Sequence, residues 1–266
     1  GIGGITGQVL KNGVDEESPV ISHEPFRFGY TGLEVVLETQ VTDNISVVQV
    51  DLYVRQDEEA DWEIVEQKRT SGDFMNGNYQ VEIPLDYVKD PGFQYMMKAI
   101  DFSGNEAETQ VFNVEVSFGI DPSNSFHFDF DEYLEGMLLS GDWEWGAPTS
   151  GTTPREGENL VATKLDGNYS DTSDSILQFP PIDVRNVENL TVSFEHWFDI
   201  EYLYDQAKVI VTDDIQSGEW YEVDSFTGRE RTWEHLAINL DEYAGSNNQI
   251  FVSLLFTSDE KINHAG

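Results

Sequence analysis

The sequence predicts an all-β protein: an Ig-like β-sandwich followed by a jelly-roll β-sandwich. Apolar and polar residues alternate with period two along most of the chain, and turn-forming residues break the alternation at short intervals. No segment shows helical periodicity over a useful length. The 266 residues suffice for two domains that each bury a core, and 39% hydrophobic content marks globular material, not a disordered acidic tail.

Residues 1–18, beginning GIGGITGQVLKNGVDEE, are Gly-rich and then acidic, and read as a linker. Residues 19–118 carry the Ig-like pattern. LEVVLETQV sets Val35, Leu37 and Val41 among polar partners, and SVVQVDLYVR sets Val48, Val50, Leu52 and Val54 on one face. Tyr79, Val81 and Ile83 form the next stripe, and Phe112, Val114 and Val116 another. Asp43-Asn44, DEEAD, Asn76-Gly77-Asn78, Asp90-Pro91-Gly92 and Ser103-Gly104-Asn105 supply the turns. About seven short strands in roughly 100 residues is the Ig-like signature. The connector FGIDPSNS places the domain boundary near 118–125, and the second domain runs over 125–266. Its strands are TVSFEHWF, AKVIVTD, WYEVDSF, WEHLAINL and IFVSLLFTS, and LDEYAG reads as a single turn.

The charge is strongly one-sided: 51 acidic residues against 14 basic give −37. Such a surface repels phosphate backbones and anionic lipid, so neither nucleic acid nor membrane is an expected partner. There is no cysteine, which excludes thiol chemistry, disulfides and thiolate metal sites. No apolar run reaches transmembrane length, which predicts no membrane insertion.

Catalytic patterns are missing as well. There is no G-x-S-x-G elbow, and His23-Glu24 lacks the second histidine of a zincin. Asp171-Thr172-Ser173 is a single copy where an aspartic-protease dyad needs two. Trp143, Trp145, Trp220 and Trp233 could form a sugar platform, although aromatic stripes at period two more often fill a sandwich core. The expected ligand is a structural calcium ion in the second domain, which demands several oxygen donors. FDFDE offers Asp129, Asp131 and Glu132, and DGNYSDTSD offers Asp166, Asn168, Asp171 and Asp174. Asp131, Asp166, Asp171 and Asp174 are the candidate ligands. Asp131 leads, at the expected end of a strand bearing Phe128 and Phe130 on its inner face.

These strings resemble the region that follows the catalytic domain in the bacillopeptidase F family of secreted subtilisin-like proteases. GGITGQVLKNG resembles its linker, while TDNISVVQVDLYVR, the SGD…GNYQVEIP stretch and Asp101, Gly104 and Asn105 resemble its Ig-like domain. DFDE, WEWGAP, KLDGNYSD, PPID, SFEHWFDIE, Tyr204-Asp205, INLDEYAG and FTSDEKINHAG resemble a MAM-like, galactose-binding-like jelly roll, shared with immune inhibitor A metalloproteases. In that family Glu is usual where Asp131 stands, and a W-Y-I-D-D strand follows the last motif, so the final strand of the domain is expected beyond Gly266.

The resemblance implies a secreted protein, extracellular or cell-wall associated. It would be a non-catalytic accessory region that stabilises, spaces or targets a protease domain upstream in the same chain. The alternative is a carbohydrate- or cell-surface-binding module of an adhesin or glycosidase, with a polysaccharide or cell-surface ligand. A standalone enzyme would need activity in these 266 residues alone.

Overall fold

A computed structural model describes residues 14–122, 126–246 and 248–266. The predicted linker lies largely in residues 1–13, outside them. The chain forms two compact units, Gly1–Ser117 and Phe118–Gly266. It is all-β, with two single-turn 3₁₀ helices, Ile215–Ser217 and Asp241–Tyr243, as its only helical elements among the described residues. No helix among these residues is long and apolar enough to cross a membrane.

In the first unit, β1 (Val20–Ser22), β3 (Val36–Thr42), β7 (Asn76–Glu82) and β6 (Lys68–Gly72) make one sheet in the order β1-β3-β7-β6. The second sheet runs β2 (Phe28–Tyr30), β10 (Phe112–Ser117), β8 (Gly92–Asp101), β4 (Val47–Arg55) and β5 (Glu63–Glu66), with β9 (Glu106–Glu108) beside β8. All pairs are antiparallel except β2 with β10, where Phe28, Gly29 and Tyr30 lie opposite Glu115, Val116 and Ser117. The inner faces meet in a core of Val35, Leu37, Val81 and Ile83 against Leu52, Val54, Tyr95, Met97 and Val114. Gly92, at φ 139°, starts β8 so close to β10 that a Cβ would stand 2.0 Å from the Val114 carbonyl oxygen.

Two local expectations fail here for identifiable reasons. The stripe Val48, Val50, Leu52 and Val54 holds only from Val50 onward. A bulge between Val47 and Gln49 changes the phase, so Val47 is buried while Val48 is 54% exposed. Asn76-Gly77-Asn78 is not a turn but the start of β7. The turn is Asp73–Met75, closed by the Asp73 carboxylate accepting from the amides of Met75 and Asn76.

The second unit is a jelly-roll sandwich. Its main sheet runs β11 (Leu138–Leu139), β14 (Asp174–Gln178), β20 (Gln249–Thr257), β17 (Gln206–Thr212) and β18 (Tyr221–Phe226), with β15 (Ile182–Asp183) also on β20. Opposite lies the long pair β16 (Thr191–Asp199) and β19 (Arg229–Asn239), and β12 (Trp143–Gly146) pairs β13 (Leu160–Thr163). Val209, Val211, Ile250 and Val252 from the main sheet pack on Ile238, Val192, Phe194 and Leu236 from the facing pair. LDEYAG contains the 3₁₀ turn Asp241–Tyr243.

Candidate metal centre

The antiparallel register of β17 and β20 sets Gln206 opposite Thr257. The start of one strand therefore lies beside the end of the other. Asp205 immediately precedes β17, and Asp259 follows β20 by two residues. Glu201 follows the end of β16, which is held there by Ile200 N–H donating to Gly228 O at 2.8 Å. Glu201, Asp205 and Asp259 thus converge, with one oxygen of each within 4.8 Å of the others. Oxygens sharing a calcium ion at 2.3–2.6 Å lie at most about 5 Å apart, so the spacing suits one hard divalent cation.

The donors around these carboxylates leave part of the cluster unsatisfied. Asp205, 1% exposed, accepts the Tyr169 hydroxyl at Oδ2 and the Asp259 amide, at 2.9 Å, at Oδ1. The same Tyr169 oxygen accepts Glu201 N–H at 3.1 Å. Asp259 Oδ1 accepts Lys261 N–H at 2.8 Å. Glu201 Oε2 is wholly covered and has no hydrogen-bond partner. Burial, and then the charges of Asp259 and Asp205, push the Glu201 carboxyl above its ordinary range, with His264 opposing. Burial and the bond to Asp205 hold the Tyr169 phenol well above its usual range. A cation at the orphaned oxygen would relieve both the repulsion and the missing bond.

The four sequence-selected ligands are not brought together. Asp131 is exposed and serves a loop, with Oδ1 accepting Glu158 N–H at 2.7 Å and its carbonyl accepting the Asn159 side chain at 3.0 Å. The strand expected to end at Asp131 is absent, because Phe130 adopts φ 65°, a left-handed conformation that breaks an extended run. Asp166 is exposed, Asp171 accepts the Asn263 side chain at 2.9 Å, and Asp174 opens β14 facing solvent. What the acidic loop sends to the centre is Tyr169, lodged against Phe256.

Glu201, Asp205 and Asp259 lie in strings that carry the family resemblance, SFEHWFDIE, Tyr204-Asp205 and FTSDEKINHAG, but the sequence reading did not select them as ligands. For Asp205 and Asp259 the signal was an acid at the matching ends of two apolar runs, AKVIVT and IFVSLLFT.

The tryptophans are no open platform. Trp143, Trp145, Trp220 and Trp233 are all half-buried, and the indoles of Trp145 and Trp233 donate to Phe130 O and Thr153 O at 2.8 and 3.0 Å. The exposed apolar groups near the acidic cluster are Tyr202, Leu203 and Tyr204, each at least 66% exposed.

No protein-family model matches the chain. Among solved structures, a study of promiscuous carbohydrate-binding modules of the β-sandwich superfamily supplies a match with TM-score 0.33 and 11% identity, covering 93% of this chain and 94% of that one. Squid arrestin matches with TM-score 0.23 and 8% identity, over 92% and 95%. Both are distant at those scores. In sequence the whole chain is 33% identical, over 270 residues, to Bacillopeptidase F of Bacillus subtilis (strain 168). The chain spans 18% of that protein's length.

Proposed function

We infer that this chain is a non-catalytic accessory region of a secreted serine endopeptidase of the bacillopeptidase F kind. It stabilises, spaces or targets a protease domain in the same polypeptide. The observation that carries this is the 33% identity sustained over 100% of the chain. The lack of a nucleophile elbow or paired-histidine motif fits the same reading. On it, the protein works outside the cell, and its second unit is of the MAM-like type. Calcium at Glu201, Asp205 and Asp259 would serve stability and not chemistry. The test compares the protease secreted with and without this region for thermal half-life and for retention on the cell surface. Equal behaviour of the two forms, or casein turnover by the purified 266-residue chain that survives stringent cleaning, refutes it.

A second reading rests on the exposed Tyr202-Leu203-Tyr204 loop, which could stack on a polysaccharide. Retention of the chain on an insoluble cell-wall polysaccharide, lost in the Tyr202→Ala/Tyr204→Ala double variant, would support it. Equal elution of wild type and variant would remove it.

A further inference from the structure

We propose that the first unit contains a site for a hard divalent cation of the calcium class, formed by Asp15, Asp43 and Asp101, which fastens the segment before β1 to the end of the sandwich. This goes beyond the accessory-region reading and stands on the first unit alone. Asp15 lies five residues before β1, Asp43 opens the β3–β4 turn and Asp101 closes β8. Sequence distance separates them, yet one oxygen of each lies within 4.8 Å of the others, the span allowed around one calcium ion.

Each carboxylate is aimed by donors on its first oxygen. Asp15 Oδ1 accepts Glu17 N–H at 3.2 Å and the Asn44 side chain at 3.1 Å. Asp43 Oδ1 accepts the Ile45 and Ser46 amides at 2.8 and 2.6 Å. Asp101, 1% exposed, accepts Asn105 N–H at Oδ1 and the Asn105 side chain at Oδ2, both at 2.7 Å.

The observation that points to a ligand is separate from these bonds. Asp15 Oδ2 and Asp43 Oδ2 are wholly covered from solvent and have no hydrogen-bond partner. A buried carboxylate oxygen left bare is costly, and two of them beside a third carboxylate more so. Among the described residues no Lys, Arg or His pairs with any of the three. One cation placed among the three carboxylates would satisfy both bare oxygens and offset their mutual repulsion. Asn105 shows what the site would secure, since its side chain already donates to the carbonyls of Asp15 and Glu17 at 3.1 and 3.2 Å.

The experiment is hydrogen–deuterium exchange on the 266-residue chain, stripped with EDTA and then given calcium. Amides in 14–19, 43–46 and 102–105 should slow roughly tenfold at a tenfold excess of calcium over Kd, because opening that releases the ion is opposed by 1 + [L]/Kd. In Asp15→Asn and in Asp43→Asn the turn-closing acceptor oxygen is kept, so the fold should persist. The calcium effect on those three segments should vanish, while any effect in 201–205 and 257–261 remains. Wild type showing no slowing in the three segments overturns the proposal. So does slowing that survives unchanged in both variants.

Discussion

Tyr169→Phe removes one oxygen from the second unit and tests whether the buried contacts at Asp205 are as described. The ring stays, with its edge contact to Phe256 at 4.8 Å between centroids, so no cavity of consequence opens. Two bonds go. A hydroxyl donating to an ionised acceptor, here Asp205, contributes about 1.5–3 kcal/mol, and the stranded Glu201 N–H adds a penalty of about 1–3 kcal/mol before relaxation. Partial rehydration of the strand end brings the expected loss to about 3 kcal/mol. For a domain of this size that lowers the melting temperature by roughly 6–12 °C. Tryptophan fluorescence is a suitable probe, because five of the six tryptophans lie in the second unit. Urea titration of the same signal gives the free energy directly. Tyr204→Phe, at a site 68% exposed, is the control and should melt like wild type. A Tyr169→Phe transition within about 0.5 kcal/mol of wild type, the range of ordinary surface changes, would refute the reasoning.

Calcium in hundredfold excess over Kd should stabilise the second unit by about 2.7 kcal/mol relative to EDTA. Asp205→Asn should abolish that difference in a thermal melt and Asp131→Ala should leave it intact. His196 packs between Phe198 and Phe226, and burial holds its imidazole below the ordinary range against the raising effect of Glu234, Asp224, Glu230 and Glu195. The unfolded chain therefore takes up a proton first as pH falls below about 6.5, and stability drops through that window toward the lower folded value. His196→Phe should flatten the drop in denaturation curves taken at successive pH values. In the first unit Val47→Ala should cost about 1.6 kcal/mol by denaturant titration, two methyl-sized groups at about 0.8 each, and Val48→Ala almost nothing.

The faces of the strands were legible because burial on one side of a pleat writes itself into every second residue, as at Val35, Leu37, Tyr79, Val81 and Val114. The bulge at Val47 was not, since an extra residue in one strand is set by its pairing with Ile100 and Asp101, far along the chain. The same distance hid the convergence of the second unit's acids. Locally dense acids such as Asp129, Asp131 and Glu132 attracted the sequence reading, but the left-handed Phe130 breaks the expected strand and Asp131 is taken up by its own loop. Glu201, Asp205 and Asp259 meet only once β16, β17 and β20 are in place. Asp101, Gly104 and Asn105 were noticed as a turn, and their acid partners Asp15 and Asp43 could not be assigned without the fold.

The parallel pairing of β2 with β10 has a mechanical consequence. The chain enters the ladder at the start of β2 and leaves it at the end of β10, and in a parallel pair these points lie at opposite ends. Tension applied to the two termini of the first unit therefore runs lengthwise along the ladder. The bonds flanking and joining the pair, including Glu115 N–H to Arg27 O and Thr31 N–H to Ser117 O, are loaded together in shear. An antiparallel pair pulled at adjacent ends would instead unzip one bond at a time. The parallel β2–β10 pair therefore resists a pull along its length better than an antiparallel pair in the same place would.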